Sequence, residues 1–466
     1  MDLCVRMRSM RAGEEDIARR RGLIWLGRNR FGIVLVVIVV FGFAARAVYV
    51  LTIGQRITLG PDAIWYELQA GTIANGSGYL DPHAYYGLGH NVPTANFPPM
   101  WPIVLALANK AGGHTQTAYQ IVGAAIGSIT VALAGLLGRR VAGPRIGLVA
   151  ALIVASCPML IAADGSIMSD SLYVAFVTAA LLASYRALDR PSVARFGLVG
   201  LLVGLATLTR SDGLFLAPIL ALALVWRMRS SSTARRVLLG ACMLGVVCVT
   251  QLPWIVSSSV RLGGVVVMSS NSGSMLEGAN CPETYGGPLI GEWDPACQEG
   301  VRAPGLSELQ WSAASRSAGV HFARTHLGRL PVVVVARELR VWGLWAPVPQ
   351  ARLESIESRD QTWQLVGWVY DLVVLAIAVP GTLILVRRRS TIAPLVAVVV
   401  AVVVTAALSY GSQRFRLAAE PAVAVAASTA VVFAGRALAG RRLSGTQLAG
   451  TGRGVGPPGS TPDLVH

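Results

Sequence analysis

The sequence predicts an all-α, polytopic transmembrane helix bundle of about ten spans, with its loops and interfacial helices gathered on one outer face. Three observations predict it. Hydrophobic residues make up 53% of the chain and charged residues only 14%, against about 25% charged in an ordinary soluble domain. Several apolar runs approach the ~20 residues that cross a hydrocarbon core. Runs such as 395–408 also lack the two-residue alternation of a barrel strand. Finally, the arginines sit in short clusters beside the apolar runs, where topology determinants belong.

The net charge of +16 therefore reads as membrane topology and contact with lipid rather than nucleic-acid binding. Arg19, Arg20, Arg21, Arg28 and Arg30 precede the first span, 31–53, and place the N-terminal tail 1–30 in the cytoplasm. A first outer loop, 54–97, follows. The apolar stretch after Phe97-Pro98-Pro99-Met100-Trp101-Pro102 is too short to cross, so it is expected to lie in the outer interface with Trp101 among the headgroups. Spans are then expected at 118–137, 146–162, 172–188, 196–208, 213–226 and 237–256, which completes a transmembrane catalytic module at 31–256. The region 257–362 reads as extracytoplasmic, with 331–349 along the membrane surface. C-terminal helices occupy 363–440, with spans at 363–386, 392–408 and 421–437. The Gly-, Ser- and Pro-rich segment 441–466 reads as a disordered cytoplasmic tail. Cys281 and Cys297 share the outer region and are expected to form a disulfide there. No metal-type cysteine spacing is present.

Charges that break the arginine rule collect at outer helix ends, and charge at membrane depth points to function. Asp62 and Tyr66 follow Gly60-Pro61; Asp62 reads as a proton acceptor, as an acid that helps hold a divalent cation, or as a loop acid or helix cap. Asp170 follows Ser169 at an outer helix junction, where it reads as a functional acid, as a helix cap, or as both. Arg210 lies in Thr209-Arg210-Ser211-Asp212-Gly213, either as an anion ligand or paired locally with Asp212. Arg414, Arg416 and Glu420 lie in 411–421, where closely spaced guanidiniums suit a phosphate or snorkel to headgroups. Asp164 and Glu67 are further acids on this side.

These motifs, in this order, resemble those of the GT-C membrane glycosyltransferases that use polyprenyl-phosphate sugars, among them aminoarabinose transferases, protein O-mannosyltransferases and bacterial envelope enzymes. Four features carry the resemblance: Asp62 with Tyr66, Pro98-Pro99-Met100-Trp101-Pro102, Ser169-Asp170, and Gly204-Leu205-Ala206-Thr207-Leu208-Thr209-Arg210. The Arg414-Phe415-Arg416 turn ending at Glu420-Pro421 adds a fifth. The match covers 46–226 and returns at 410–421; Phe97 stands where the aminoarabinose transferases have lysine.

The resemblance implies a membrane glycosyltransferase with a polyprenyl-phosphate sugar as donor and a glycan, lipid or protein hydroxyl as acceptor. It also implies inversion, with Asp62 as base, Asp170 as a second catalytic residue, and Tyr66, Arg210, Arg414, Arg416 and Glu420 binding substrate. A divalent cation is a possible cofactor, although no metal ligands are read from the sequence. Tyr285, Trp293 and Trp311 are candidate faces for the acceptor. The competing class is a lipid-linked sugar transporter or flippase, which would show repeated halves; no internal repeat is visible.

Overall fold

The structure, a computed structural model, describes residues 30–298 and 305–450, apart from the side chains of 440–450. Most of the basic N-terminal tail, and 451–466, lie outside the described residues. The described chain is helical, with no strand and one isolated bridge between Leu80 and Pro93.

Among the described residues six helices are long and apolar enough to cross a membrane, so the chain is a multi-pass membrane protein: α1 (Arg30–Arg56), α5 (Gln116–Ala142), α8 (Asp170–Asp189), α11 (Thr233–Leu262), α17 (Gln361–Arg387), and a last one whose apolar part is Phe415–Ala439. That last helix, α19, runs Glu420–Gly450. It therefore continues ten residues into the stretch expected to be disordered. Three apolar helices are shorter: α9 (Val193–Thr209), α10 (Gly213–Arg227) and α18 (Ala393–Leu408).

The expected span at 146–162 is broken. Helices α6 (Pro144–Ser156) and α7 (Pro158–Asp164) meet at a 59° bend. The residue before a proline is pushed out of the helical region, and Cys157 is extended (φ −68°, ψ 112°). Pro158 also has no N–H, which leaves the carbonyl of Val154 without its helical donor. A buried arginine from α1 repairs the break: Arg46 donates to Val154 O (3.3 Å) and Ala155 O (3.2 Å), and its Nε reaches Asp164 Oδ2 at 2.6 Å. Gly127 on α5 makes room, because a Cβ there would fall 1.9 Å from the Asp164 carboxylate.

Two groups of short helices cover one face. The first loop builds α2 (Pro61–Ala74), α3 (Pro82–Leu88) and α4 (Met100–Lys110). The headgroup position expected for Trp101 is not what folds. Its ring is fully buried and its indole N–H donates to Ile167 O at 2.7 Å, which pins α4 to the turn before α8. The second loop builds α12 (Ser272–Ala279), α13 (Pro282–Tyr285), α14 (Glu308–Thr325), α15 (Leu330–Val341) and α16 (Pro347–Ser355). Helix α15, within the stretch expected along the membrane surface, packs on α18. Arg337 and Arg340 are buried because backbone carbonyls take their protons: Arg337 donates to Ala407 O (3.0 Å) and Ala279 O (2.6 Å), and Arg340 to Ile290 O (2.7 Å).

Cys281 and Cys297 are joined (S–S 2.08 Å) across a separation of 16 residues. A loop of that size stabilises by roughly 3 kcal/mol through the unfolded chain. Cys297→Ser should therefore lower the unfolding temperature of the loop layer, read by differential scanning fluorimetry with and without reductant. Reductant should lower the wild type and leave the variant unchanged.

The opposite face gathers arginine-bearing helix ends. Arg140 at the end of α5 pairs with Asp189 at the end of α8, and Arg235 of α11 donates to Pro191 O (2.9 Å).

Candidate active site

On the loop-covered face a cavity of about 500 Å³ opens between α2, the N-terminal end of α10 and the C-terminal end of α18. Asp62, Tyr66, Arg210, Asp212, Tyr410 and Arg414 form its polar wall, while Leu214, Phe215 and Leu408 form an apolar one.

Helix α2 starts on Gly60-Pro61, with proline at a first-turn position that needs no N–H. Gly60 is required by a close approach, since a Cβ would lie 1.8 Å from Ile356 O; its N–H donates to Ser358 Oγ at 2.7 Å. Asp62 therefore projects from the first turn with its position set by the 356–358 loop. It does not cap the helix, because α2 has no side-chain cap. Burial, then the neighbouring Glu357, push its pKa up to about 7 against the opposing pull of Arg414 and Arg210. One turn on, Tyr66 is buried against Phe97 (ring centroids 4.8 Å), and the Ser169 side chain hydrogen-bonds its hydroxyl.

Asp170 stands behind this wall, buried at the start of α8, and holds three guanidiniums. Arg210 Nη1 donates to Oδ1 at 2.7 Å and Arg359 Nη2 to Oδ2 at 2.9 Å, while Arg414 Nε lies 3.4 Å from Oδ2. Each arginine has a second acid. Arg210 also binds Asp212 at 2.9 Å, so the local pair and the cavity position coexist. Arg414 Nη1 lies 2.7 Å from Glu357, and Arg359 Nη1 lies 3.5 Å from Glu354. Glu354 in turn accepts from Ser412 Oγ (2.7 Å) and Gln413 N–H (2.8 Å), fixing the turn that carries Arg414. Two non-glycine residues beside this hub are left-handed, Ile167 (φ 60°) and Ser358 (φ 62°). Strain of that kind is held where surrounding structure over-determines the backbone.

The cavity thus brings together Asp62, Tyr66, Arg210 and Arg414, with Asp170 directly behind. It does not bring in Arg416 and Glu420. Arg416 is fully buried and pairs with Asp371 of α17 and with Glu420 (2.8 Å), inside the bundle near Cys157. Tyr285, Trp293 and Trp311 do not line the cavity; Tyr285, for example, packs on Phe322 (ring centroids 5.0 Å). Arg359, Glu357 and Glu354 were missed in the sequence. Their only signal was a dense run of charge, Glu354 to Asp360, directly before an apolar helix.

A cation needs more than one free anionic oxygen. Asp170 is taken up by three arginines, Glu357 by Arg414 and Asp212 by Arg210, which leaves Asp62 as the cavity acid without an ion pair among the described residues. Cys281, Glu283 and Cys297 also cluster, but the sulfurs are spent in the disulfide, and metal binding needs thiolates.

Residues 96–254 match the family model described as dolichyl-phosphate-mannose-protein mannosyltransferase. Among solved structures, the chain is similar to the oligosaccharyltransferase AglB from Archaeoglobus fulgidus in complex with an inhibitory peptide and a dolichol-phosphate: 16% identity, 94% of this chain, 53% of that one, TM-score 0.54. A second structure of the Archaeoglobus fulgidus oligosaccharyltransferase, with Zn and sulfate, gives 18% identity, 89% and 51% coverage, and TM-score 0.54. ArnT from Cupriavidus metallidurans, bound to undecaprenyl phosphate, gives 15% identity, 86% and 78% coverage, and TM-score 0.40. The chain spans about half the length of the archaeal enzymes. No curated protein sequence matches it. The fold is that of the GT-C membrane glycosyltransferases, as the sequence motifs led us to expect.

Proposed function

We propose that this chain is a glycosyltransferase that moves a sugar from a polyprenyl-phosphate donor to a hydroxyl acceptor. The observation that carries the reading is a carboxylate with a near-neutral pKa, Asp62, sharing one cavity with two guanidiniums, Arg210 and Arg414. The dolichol-phosphate in the similar archaeal structure, and the mannosyltransferase model matching 96–254, support this donor class. By the positive-inside bias we read the face with the arginine-bearing helix ends as the cytoplasmic one. The cavity then opens outward from the plasma or inner membrane, and both termini lie in the cytoplasm.

In this reaction the acceptor oxygen attacks the anomeric carbon on the side opposite the phosphate and gives its proton to Asp62. The bond from the anomeric carbon to the phosphate oxygen breaks, and its electron pair leaves with the polyprenyl phosphate. The anomeric centre is inverted. A phosphate ester leaves without protonation but needs its charge met, which Arg210 and Arg414 supply from a poorly hydrated wall. Arg414 is held by Glu357, which is one-quarter exposed at the rim; the phosphate takes over that contact. Leu214, Phe215 and Leu408 border the path of the isoprenoid.

The test is transfer by the full chain in proteoliposomes supplied with labelled polyprenyl-phosphate mannose and other monophosphate-linked sugars, with membrane extract as acceptor. Label moving to a new product, with release of polyprenyl phosphate, supports the reading. Donor crossing the bilayer unhydrolysed, without product, overturns it in favour of a flippase.

The pH profile is a second check. A base works ionised, so kcat/KM should fall as pH drops through about 7, following Asp62 in the free enzyme. Removing the repulsion of Glu357 lowers the pKa of Asp62, so Glu357→Gln should move that limb to lower pH. A limb unmoved by this variant would show that another group sets it.

A further inference from the structure

The face opposite the active site carries a second cavity, of about 560 Å³, where the ends of α5, α8, α10 and α11 meet the connection into α18. Three arginines line it, Arg140, Arg227 and Arg235, against one acid, Asp189, already paired with Arg140. Arg227 and Arg235 have no acidic partner among the described residues. Each is oriented by one contact: Arg227 Nε donates to Thr391 Oγ1 at 3.3 Å, and Arg235 Nη2 to Pro191 O at 2.9 Å. A guanidinium has five N–H donors, so most of both forks remains for a ligand. Ser231 and Thr391 add hydroxyls to the rim, and the buried Tyr185, donating to Thr391 O at 2.7 Å, stiffens the floor.

Topology alone does not ask for this arrangement. The positive-inside bias counts arginines in loops and is indifferent to whether they converge. Here residues from separate helix ends converge on one walled space with paired guanidiniums and small hydroxyls, which is the chemistry of a phosphate cradle. The outer wall says which phosphate. Beside Arg227 and Arg235, α10 and α11 present Leu222, Trp226, Val237 and Leu238, each more than half exposed, as a strip for acyl chains. Trp226 also carries the guanidinium of Arg229 4.4 Å above its ring.

We propose that this cavity binds the phosphate headgroup of an anionic membrane lipid, with its acyl chains against α10 and α11. The site is separate from the transfer cavity and does not depend on the transferase reading. A lipid there bridges five helices, two of which, α10 and α18, reach the transfer cavity at their other ends.

The test is native mass spectrometry of the full chain titrated with phosphatidylglycerol or phosphatidylcholine, with glycerol phosphate as competitor. The wild type should retain phosphatidylglycerol at least tenfold more tightly than phosphatidylcholine, and Arg227→Gln/Arg235→Gln should remove that preference. Arg227→Lys/Arg235→Lys should keep part of it, because the charge remains. If the glutamine variant does not fold, the wild-type preference must still collapse in high salt. Equal retention of both lipids, or a preference unchanged in the glutamine variant, overturns the proposal. Glycerol phosphate competing at the same concentration as the lipid also overturns it, since the site would then be one for a free anion.

Discussion

Asp62→Asn is expected to cut transfer by about 10²- to 10⁴-fold, the usual contribution of a positioned general base, while leaving the protein folded. The amide matches the carboxylate in shape but takes no proton at neutral pH. Folding should survive because, among the described residues, no hydrogen bond or ion pair holds this carboxylate. Its charge in fact faces that of Glu357. Initial rates at saturating donor, with the melting temperature recorded in parallel, separate the two effects. A variant that transfers within a few-fold of wild type removes Asp62 from the chemistry, and one that loses its melting transition makes it a structural residue.

Asp170→Asn is expected to act in the opposite way, through stability first. Arg210, Arg359 and Arg414 all converge on Asp170, and Arg359 is fully buried. Removing one partner of a buried ion pair costs roughly 3–5 kcal/mol, because the remaining charge is left without compensation. The neutral amide also directs N–H donors at guanidiniums. The measure is unfolding in a denaturing detergent, combined in a double-mutant cycle with Arg359→Gln. The double variant should recover part of the loss, since the uncompensated cation is gone. Losses that simply add would mean that the two side chains do not depend on each other.

The long helices were readable because lipid imposes a strict rule on them. An apolar run of sufficient length must be helical, and arginines mark its ends; α5, α11 and α17 follow that rule. The break at Cys157-Pro158 was written in the sequence as a proline, but an uninterrupted apolar run concealed it. Asp62, Arg210 and Arg414 could be read as site candidates because they were charges in the wrong place. Arg416 and Glu420 carried the same signal for a different reason, as they neutralise each other and Asp371 within the bundle. Arg359 gave no comparable signal. Its role depends on a contact with Asp170 across 189 residues, which no local pattern encodes. Trp101 was misplaced on a related ground: a tryptophan suits headgroups or a buried carbonyl equally well, and only the fold supplies Ile167.

The reach of Asp170 bears on how the protein is made. As helices enter the membrane in order from the ribosome, Asp170 meets Arg210 soon after insertion but must wait for Arg359 and Arg414 until the chain is nearly complete. Until then a buried acid and a strained turn sit beside an unfinished pocket, without the guanidinium that completes the cavity's polar wall. A nascent or prematurely terminated chain therefore lacks both Arg414 and the 356–358 loop that sets the position of Asp62. The polar wall is complete only once the chain has been made through Arg414, after α17 and α18.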